Sequence, residues 1–317
     1  MDSYIQDILD LIEWANGDLT TKWGKVRAAN GHIKPYNLKY IGIGNEDLIT
    51  DLFEERFRMI FKAIKAKYPE IVVIGTVGPW SEGTDYVEGW KLANEIAIPM
   101  VDEHYYQSPG WFINNQDYYD NYDRSKSKVY LGEYAAHIGG RANNLHTSLV
   151  EALHLNSLER NGDVVSMSSY APLLAKEGHT QWKPDLIFFN NTEVKKTVDY
   201  EVQKLYGVHA GESYIASQVE LSDKDSYLQK RVSVSVVEDS KTKDLIIKLV
   251  NVLPTSVDTK LNLKEFDFLP EALKITLAGK LKDTKVLPVE GKQSVAPSFS
   301  TNLPPHSLTV IRLQRKK

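Results

Sequence analysis

Tyr40-Ile41-Gly42-Ile43-Gly44-Asn45-Glu46-Asp47 admits two folds. A Gly-X-Gly that follows a short apolar strand and precedes a helix has the outline of a dinucleotide loop. The third glycine is absent, though, and Glu46 with Asp47 would meet a pyrophosphate with like charge where bare backbone N–H groups are needed. The stretch reads better as the end of a strand over residues 38–43. That end presents acidic side chains on the face where parallel α/β sheets place their sites. A plainer reading makes Asn45 to Asp47 polar residues leading into the next helix.

The neighbouring sequence extends the strand reading. Residues 51–67 form an amphipathic helix with Leu52, Phe53, Phe57, Ile60, Phe61 and Ile64 in one stripe. Strands are predicted over 71–74, from 98 into Asp102-Glu103-His104-Tyr105-Tyr106, over 128–131 and over 163–167. Helices are predicted over 84–95, 143–160 and 194–206, with a polar loop over 107–127. Upstream, Ser3 and Gln6 make a capping-box pattern for a helix carrying Ile5, Ile8, Leu9 and Ile12, and residues 18–37 read as a polar stretch. Strand and helix alternate as in a parallel α/β sheet.

Beyond Gly211 the pattern changes to alternating β runs (231–237, 245–252, 273–277, 308–313) with Pro, Gly, Asp and Asn between them and no predicted helix. The expectation is an α/β domain over 1–210 and a β-sandwich over 211–317. A (β/α)8 barrel typically needs about 250 residues and eight strand–helix units. Only five fit here, so a doubly wound five-stranded sheet stays open as the alternative.

Composition narrows the function classes. The 317 residues carry 38 Lys+Arg against 42 Asp+Glu, a net charge of −4, without the basic surplus of a nucleic-acid binder. Cysteine is absent, which removes disulfides, thiolate metal sites and a cysteine nucleophile. No apolar run reaches the ~18 residues of a membrane span. No signal-peptide pattern opens the chain, so the compartment stays open: cytoplasmic, or secreted or periplasmic if a signal lies upstream. The other histidines lack metal-ligand spacing, no Gly-X-Ser-X-Gly elbow occurs, and no cofactor is implied.

Lys128-Val-Tyr-Leu-Gly-Glu133-Tyr134 places a second carboxylate at the end of an apolar strand. A buried acid there needs a partner or a task, a structural ion pair being the plain alternative. Glu46 and Glu133 together match the requirement of glycoside hydrolysis for two carboxyls, one giving a proton and one attacking the anomeric carbon. His104-Tyr105-Tyr106 ends another strand and suits a sugar hydroxyl or the tuning of a carboxylate. Gln181 and Trp182 follow the last strand and could line a cleft, core packing being the alternative for Trp182.

At this point the sequence resembles the C-terminal portion of glycoside hydrolase family 51, the α-L-arabinofuranosidases. The resemblance is carried by Asn37–Asp47, Asp102–Tyr106, Leu131-Gly-Glu133-Tyr-Ala135 and Leu158–Pro172. It implies a (β/α)8 TIM barrel followed by a β-sandwich, the first three barrel strands being missing from this chain. It implies Glu46 as acid/base at the end of strand four, Glu133 as nucleophile on strand seven, and Asn45 on the sugar 2-hydroxyl. His104 and Tyr106 match the strand-six pattern, Tyr106 as the hydrogen-bond partner of Glu133.

The expected activity is retaining, exo-acting release of arabinose side chains from arabinoxylan or arabinan, with the two carboxyls about 5–5.5 Å apart. An endo-β-glucanase or xylanase on the same scaffold is the runner-up, and a non-catalytic carbohydrate-contacting remnant is the alternative from another class. The expected partners are an arabinose-containing glycan and a barrel-completing N-terminal segment of the same enzyme, or an oligomer, that covers the strands at 38–43 and 164–167.

Overall fold

The computed structural model describes every residue except Lys264, Phe266 and Lys317. The chain divides into two compact units. The first takes in Met1–Tyr105, Asp123–Gly132 and Ser166–Ser168; the second takes in Tyr106–Tyr122, Glu133–Val165 and the residues from Ser169 on.

The first unit begins with α1 (Asp2–Asn16) and α2 (Lys22–Ala29), followed by β1 (Tyr40–Ile43), α3 (Asp51–Lys67), β2 (Val72–Thr76), α4 (Thr84–Glu95) and β3 (Met100–Gln107). Later in the chain come α5 (Pro109–Asn114), β4 (Lys128–Ala136), α6 (Leu145–Arg160) and β5 (Val165–Tyr170). The five strands form one sheet in the order β1-β2-β3-β4-β5, and β1, β2 and β3 pair in parallel. Both β3 and β4 run from the first unit into the second.

α3 spans the residues its periodicity predicts. Thr50 caps it by accepting from Phe53 N, Asp51 and Glu54 occupy its first turn, and Lys65 and Lys67 its last. Its inward face is Phe57, Ile60 and Ile64, while Leu52 stays exposed, so the buried stripe is narrower than expected. The Ser3–Gln6 capping box does not form: α1 starts at Asp2, and Gln6 instead donates to Asp10 one turn on. α2 lies inside the stretch read as merely polar. It is held by the fully buried Arg27, which donates to the carbonyls of Trp14, Ala15, His32 and Ile33.

The second unit continues with β6 (Leu174–Lys176), β7 (Ile187–Phe189) and β8 (Val194–Lys196), a small sheet within a region read as loop, and then α7 (Val198–Val208). After it come β9 (Ser213–Tyr214), α8 (Ser226–Gln229), β10 (Val232–Glu238), β11 (Leu245–Asn251), β12 (Val257–Asn262), β13 (Glu271–Ala278), β14 (Val289–Ser294), β15 (Ser298–Leu303) and β16 (Ser307–Leu313). α8 is one short helix in a region where none was expected.

A six-stranded sheet in the order β14-β13-β16-β11-β10-β9 packs with the β12–β15 pair around Ile247, Leu249, Phe299, Leu303, Ile311 and Leu313. β11 is buried on both faces. Its alternate residues face α6, where Lys248 Nζ lies 2.5 Å from Glu159 Oε1. α6 is accordingly buried along nearly its whole length, and Asn144 closes a capping box with Thr147 at its start.

Candidate active site

In the first unit the turn after β1 is set by its glycine. Gly44 has φ +93°, and a Cβ there would lie 2.6 Å from Asp47 Oδ2 and 2.8 Å from Thr76 Cγ2. Asp47 Oδ2 accepts from Asn45 N at 2.8 Å, which closes the turn. Glu46 then sits at φ +53°, in the left-handed region that costs a non-glycine residue of order 1–2 kcal/mol. Such backbone strain gathers where a side chain must be held for function.

The Glu46 side chain meets β3. His104 Nδ1 lies 3.1 Å from Glu46 Oε1, and Nε2 of the same ring lies 3.1 Å from Asp102 Oδ2. The ring is only 3% exposed. Strand alternation sorts the run Asp102-Glu103-His104: residues 102 and 104 share one face, and Glu103 takes the other. Glu103 Oε1 there accepts from Trp90 Nε1 and Tyr86 Oη of α4. Asn45 is exposed at the turn.

In the second unit, Tyr106 Oη donates to Glu133 Oε2 at 2.6 Å. Tyr106 is two residues beyond His104 and shares its face of β3. Its ring stacks on His137 with centroids 5.0 Å apart and meets Trp182 at 5.4 Å. The guanidinium of Arg141 covers Trp182 at 4.5 Å. Burial and then the Arg141 charge push His137 down to about 4, so its ring is neutral near pH 7. Trp182 is 37% exposed, so one of the two readings of it, the cleft lining, keeps an accessible face.

Beneath β4 lies a buried acidic layer. Glu151 Oε1 accepts from Ala136 N, and Asp199 Oδ1 accepts from Thr147 Oγ1 and Ser148 Oγ. Asn143 also donates to Asp199. Burial pushes Asp199 up to about 6 and Glu151 well above the ordinary carboxylate range. Asp102 and His137 were not singled out from the sequence. Asp102 had a signal, its two-residue spacing from His104; His137 had none beyond proximity to Glu133.

Two family models match in succession. An α-L-arabinofuranosidase 1 domain covers residues 1–124, and an α-L-arabinofuranosidase C-terminal domain covers residues 118–307. An extracellular exo-α-L-arabinofuranosidase of Streptomyces chartreusis is 49% identical over 215 residues, 68% of this chain and 26% of the relative. α-L-Arabinofuranosidase 1 of Arabidopsis thaliana is 30% identical over 332 residues, 99% of this chain and 46% of the relative.

Among solved structures, an arabinose-bound family 51 α-L-arabinofuranosidase superposes with a TM-score of 0.85 at 26% identity, over 99% of this chain and 51% of that one. The arabinose complex of the Thermotoga maritima enzyme gives 0.79 at 18% identity, over 98% and 73%, a likeness of fold. The chain thus spans between about a quarter and half of the length of these curated relatives.

Proposed function

The chain belongs to the glycoside hydrolase family 51 α-L-arabinofuranosidases, and from that premise we propose that it carries the catalytic pair of a retaining, exo-acting α-L-arabinofuranosidase. The substrate class is arabinose side chains of arabinoxylan or arabinan. Glu133 attacks the anomeric carbon as the nucleophile while Glu46 gives its proton to the departing glycosidic oxygen. Glu46, now a carboxylate, takes a proton from water. That water attacks the anomeric carbon, releases arabinose with retained configuration and restores the Glu133 carboxylate. Asn45 holds the sugar 2-hydroxyl, where a hydrogen bond can tighten in the oxocarbenium-like transition state.

The observation that carries this reading is the difference between the partners of the two carboxyls. A phenol hydroxyl at 2.6 Å donates to Glu133, which matches an ionised nucleophile. Glu46 faces an imidazole nitrogen at 3.1 Å. Imidazole can accept or donate, which matches a group that is an acid in one step and a base in the next. The test is hydrolysis of an aryl α-L-arabinofuranoside, with the anomer first formed read by proton NMR. An inverted first product would overturn the pairing of roles.

The α/β part, residues 1–210, is read here as strands four to eight of a (β/α)8 barrel, with 211–317 as its sandwich. The missing strands come from an N-terminal segment of the same enzyme. The open edge of β1 supports this. It borders an apolar groove of about 460 Å³ lined by Leu11, Trp14, Ala15, Tyr36, Leu38 and Ile41. Among the described residues no helix is long and apolar enough to cross a membrane.

A further inference from the structure

We propose that Asp102 is a positioning residue for the acid/base step, acting on Glu46 through the ring of His104. The proposal rests on the reading of Glu46 as acid/base. Three features of the first unit carry it. Asp102 Oδ2 lies 3.1 Å from His104 Nε2, and the opposite ring nitrogen lies 3.1 Å from Glu46 Oε1, so one buried ring bridges the two carboxyls.

The place of Asp102 is reserved by a glycine on the neighbouring element. A Cβ on Gly132 would stand 2.0 Å from Asp102 Oδ1, closer than any real contact. Gly132 therefore cannot carry a side chain while this carboxyl stays where it is. Finally, Asp102 Oδ1 is buried with no hydrogen-bond partner among the described residues. A buried acceptor left unsatisfied costs stability, so a residue chosen for packing alone would not be an aspartate here.

The chemistry follows from the donor inventory. A carboxylate accepts only, so Asp102 holds the proton of His104 on Nε2 and fixes the plane of the ring. Nδ1 is then the nitrogen whose state answers that of Glu46, which must be protonated when the leaving oxygen departs and ionised when water is activated. Without Asp102 the ring can swap tautomer or rotate, and Glu46 loses a neighbour of fixed orientation. Acid assistance should suffer most, and it matters in proportion to how poor the leaving group is.

The test joins a spectroscopic and a kinetic measurement on Asp102→Asn. In the histidine-¹⁵N-labelled wild-type chain, the His104 Nε2 resonance is expected to be protonated, and in Asp102→Asn that proton should be lost or redistributed to Nδ1. In the active enzyme, kcat/KM for an alkyl or oligosaccharide arabinofuranoside should fall about 10- to 100-fold, and for a dinitrophenyl arabinofuranoside less than about 3-fold. Should Asp102→Asn fold poorly, Asp102→Ala assayed with added formate gives the same comparison, formate restoring the rate on the poor leaving group.

An unprotonated Nε2 in the wild type, or equal losses on both substrates, would overturn the positioning role. A wild-type enzyme without arabinofuranosidase activity would instead overturn the functional reading, and the ¹⁵N spectra would still decide the bridge.

Discussion

At the scale of single residues the two carboxyls should separate by leaving group. Glu133→Ala removes the proposed nucleophile and should lower turnover at least about 10⁴-fold on every substrate. Glu46→Ala should lose about 10²- to 10⁴-fold on unactivated arabinosides. It should keep the glycosylation step of a dinitrophenyl substrate, which needs no proton, and azide should restore its deglycosylation. Equal losses for both variants on the activated substrate would contradict the assigned roles.

Glu46 and Glu133 stood out in the sequence because each follows a short apolar run, where an acid is conspicuous, although β4 continues past Glu133 to Ala136. Asp102 was passed over, although its two-residue spacing from His104 in a predicted strand already sets it on the face of that ring and Glu103 on the other. Asp199 carries a separate prediction. Burial holds it at about 6, above its ordinary value, so its contribution to stability is complete below about pH 4 and is lost as pH rises through about 6. Asp199→Asn should therefore flatten the pH dependence of unfolding in that window, by up to about 3 kcal/mol. Urea titrations at a series of pH values read this directly; an unchanged slope would mean that Asp199 ionises freely in the folded state.

At the scale of elements, legibility tracked the strength of the periodic signal. α3 and α4 were placed at their observed bounds, because each buries one face and starts at a clear turn. α2 and the β6–β8 sheet were missed. They are short segments, the strands three residues each and too brief to show a period, and α2 is fixed by tertiary contacts such as those of Arg27. β12 was missed although Val257, Thr259 and Leu261 alternate with polar residues there, whereas β14 (Val289–Ser294) is polar and exposed along most of its length and offers no such signal.

α6 was found, but its role was not. It is enclosed on most sides, so one-sided periodicity gives way to packing against β10 and β11. Its contact with β11 centres on Lys248, fully buried, with Glu159 as its ionic partner and Ser235 Oγ donating to the same carboxyl. Removing one member of such a pair strands the other. Lys248→Met should cost about 3–5 kcal/mol in urea denaturation. Lys248→Met with Glu159→Met should cost less than the single change, since no buried charge is then left alone. A single-variant cost under about 1 kcal/mol would mark the pair as screened by solvent.

At the scale of the whole molecule the five-stranded sheet poses the remaining question. In its order β1-β2-β3-β4-β5 the first and last strands each have one neighbour. An uncovered edge offers free backbone groups, and here it adjoins apolar surface: Leu11 and Tyr36 are exposed beside the groove, and Tyr40 on β1 itself is 43% exposed. Such edges invite pairing with another strand. A partner that supplies a parallel strand to β1 would cover its hydrogen-bonding groups and fill the groove between Leu11, Trp14 and Ile41 at once.

The alternation of strands and helices was legible in the sequence, but what lies against β1 was not, because no residue pattern within β1 itself names the strand that would pair with it. We expect that an upstream barrel segment of the same enzyme, expressed separately and mixed with this chain, forms a stable complex by light scattering. It should slow hydrogen exchange at the β1 amides and raise arabinofuranosidase activity at least about 10-fold. Ile41→Lys or Leu11→Asp, each placing a charge in the groove, should abolish all three effects while leaving the sandwich folded. A single chain that is monomeric, fully active and already slow to exchange along β1 would refute the barrel-completing partner, and the doubly wound five-stranded sheet would then be the better description.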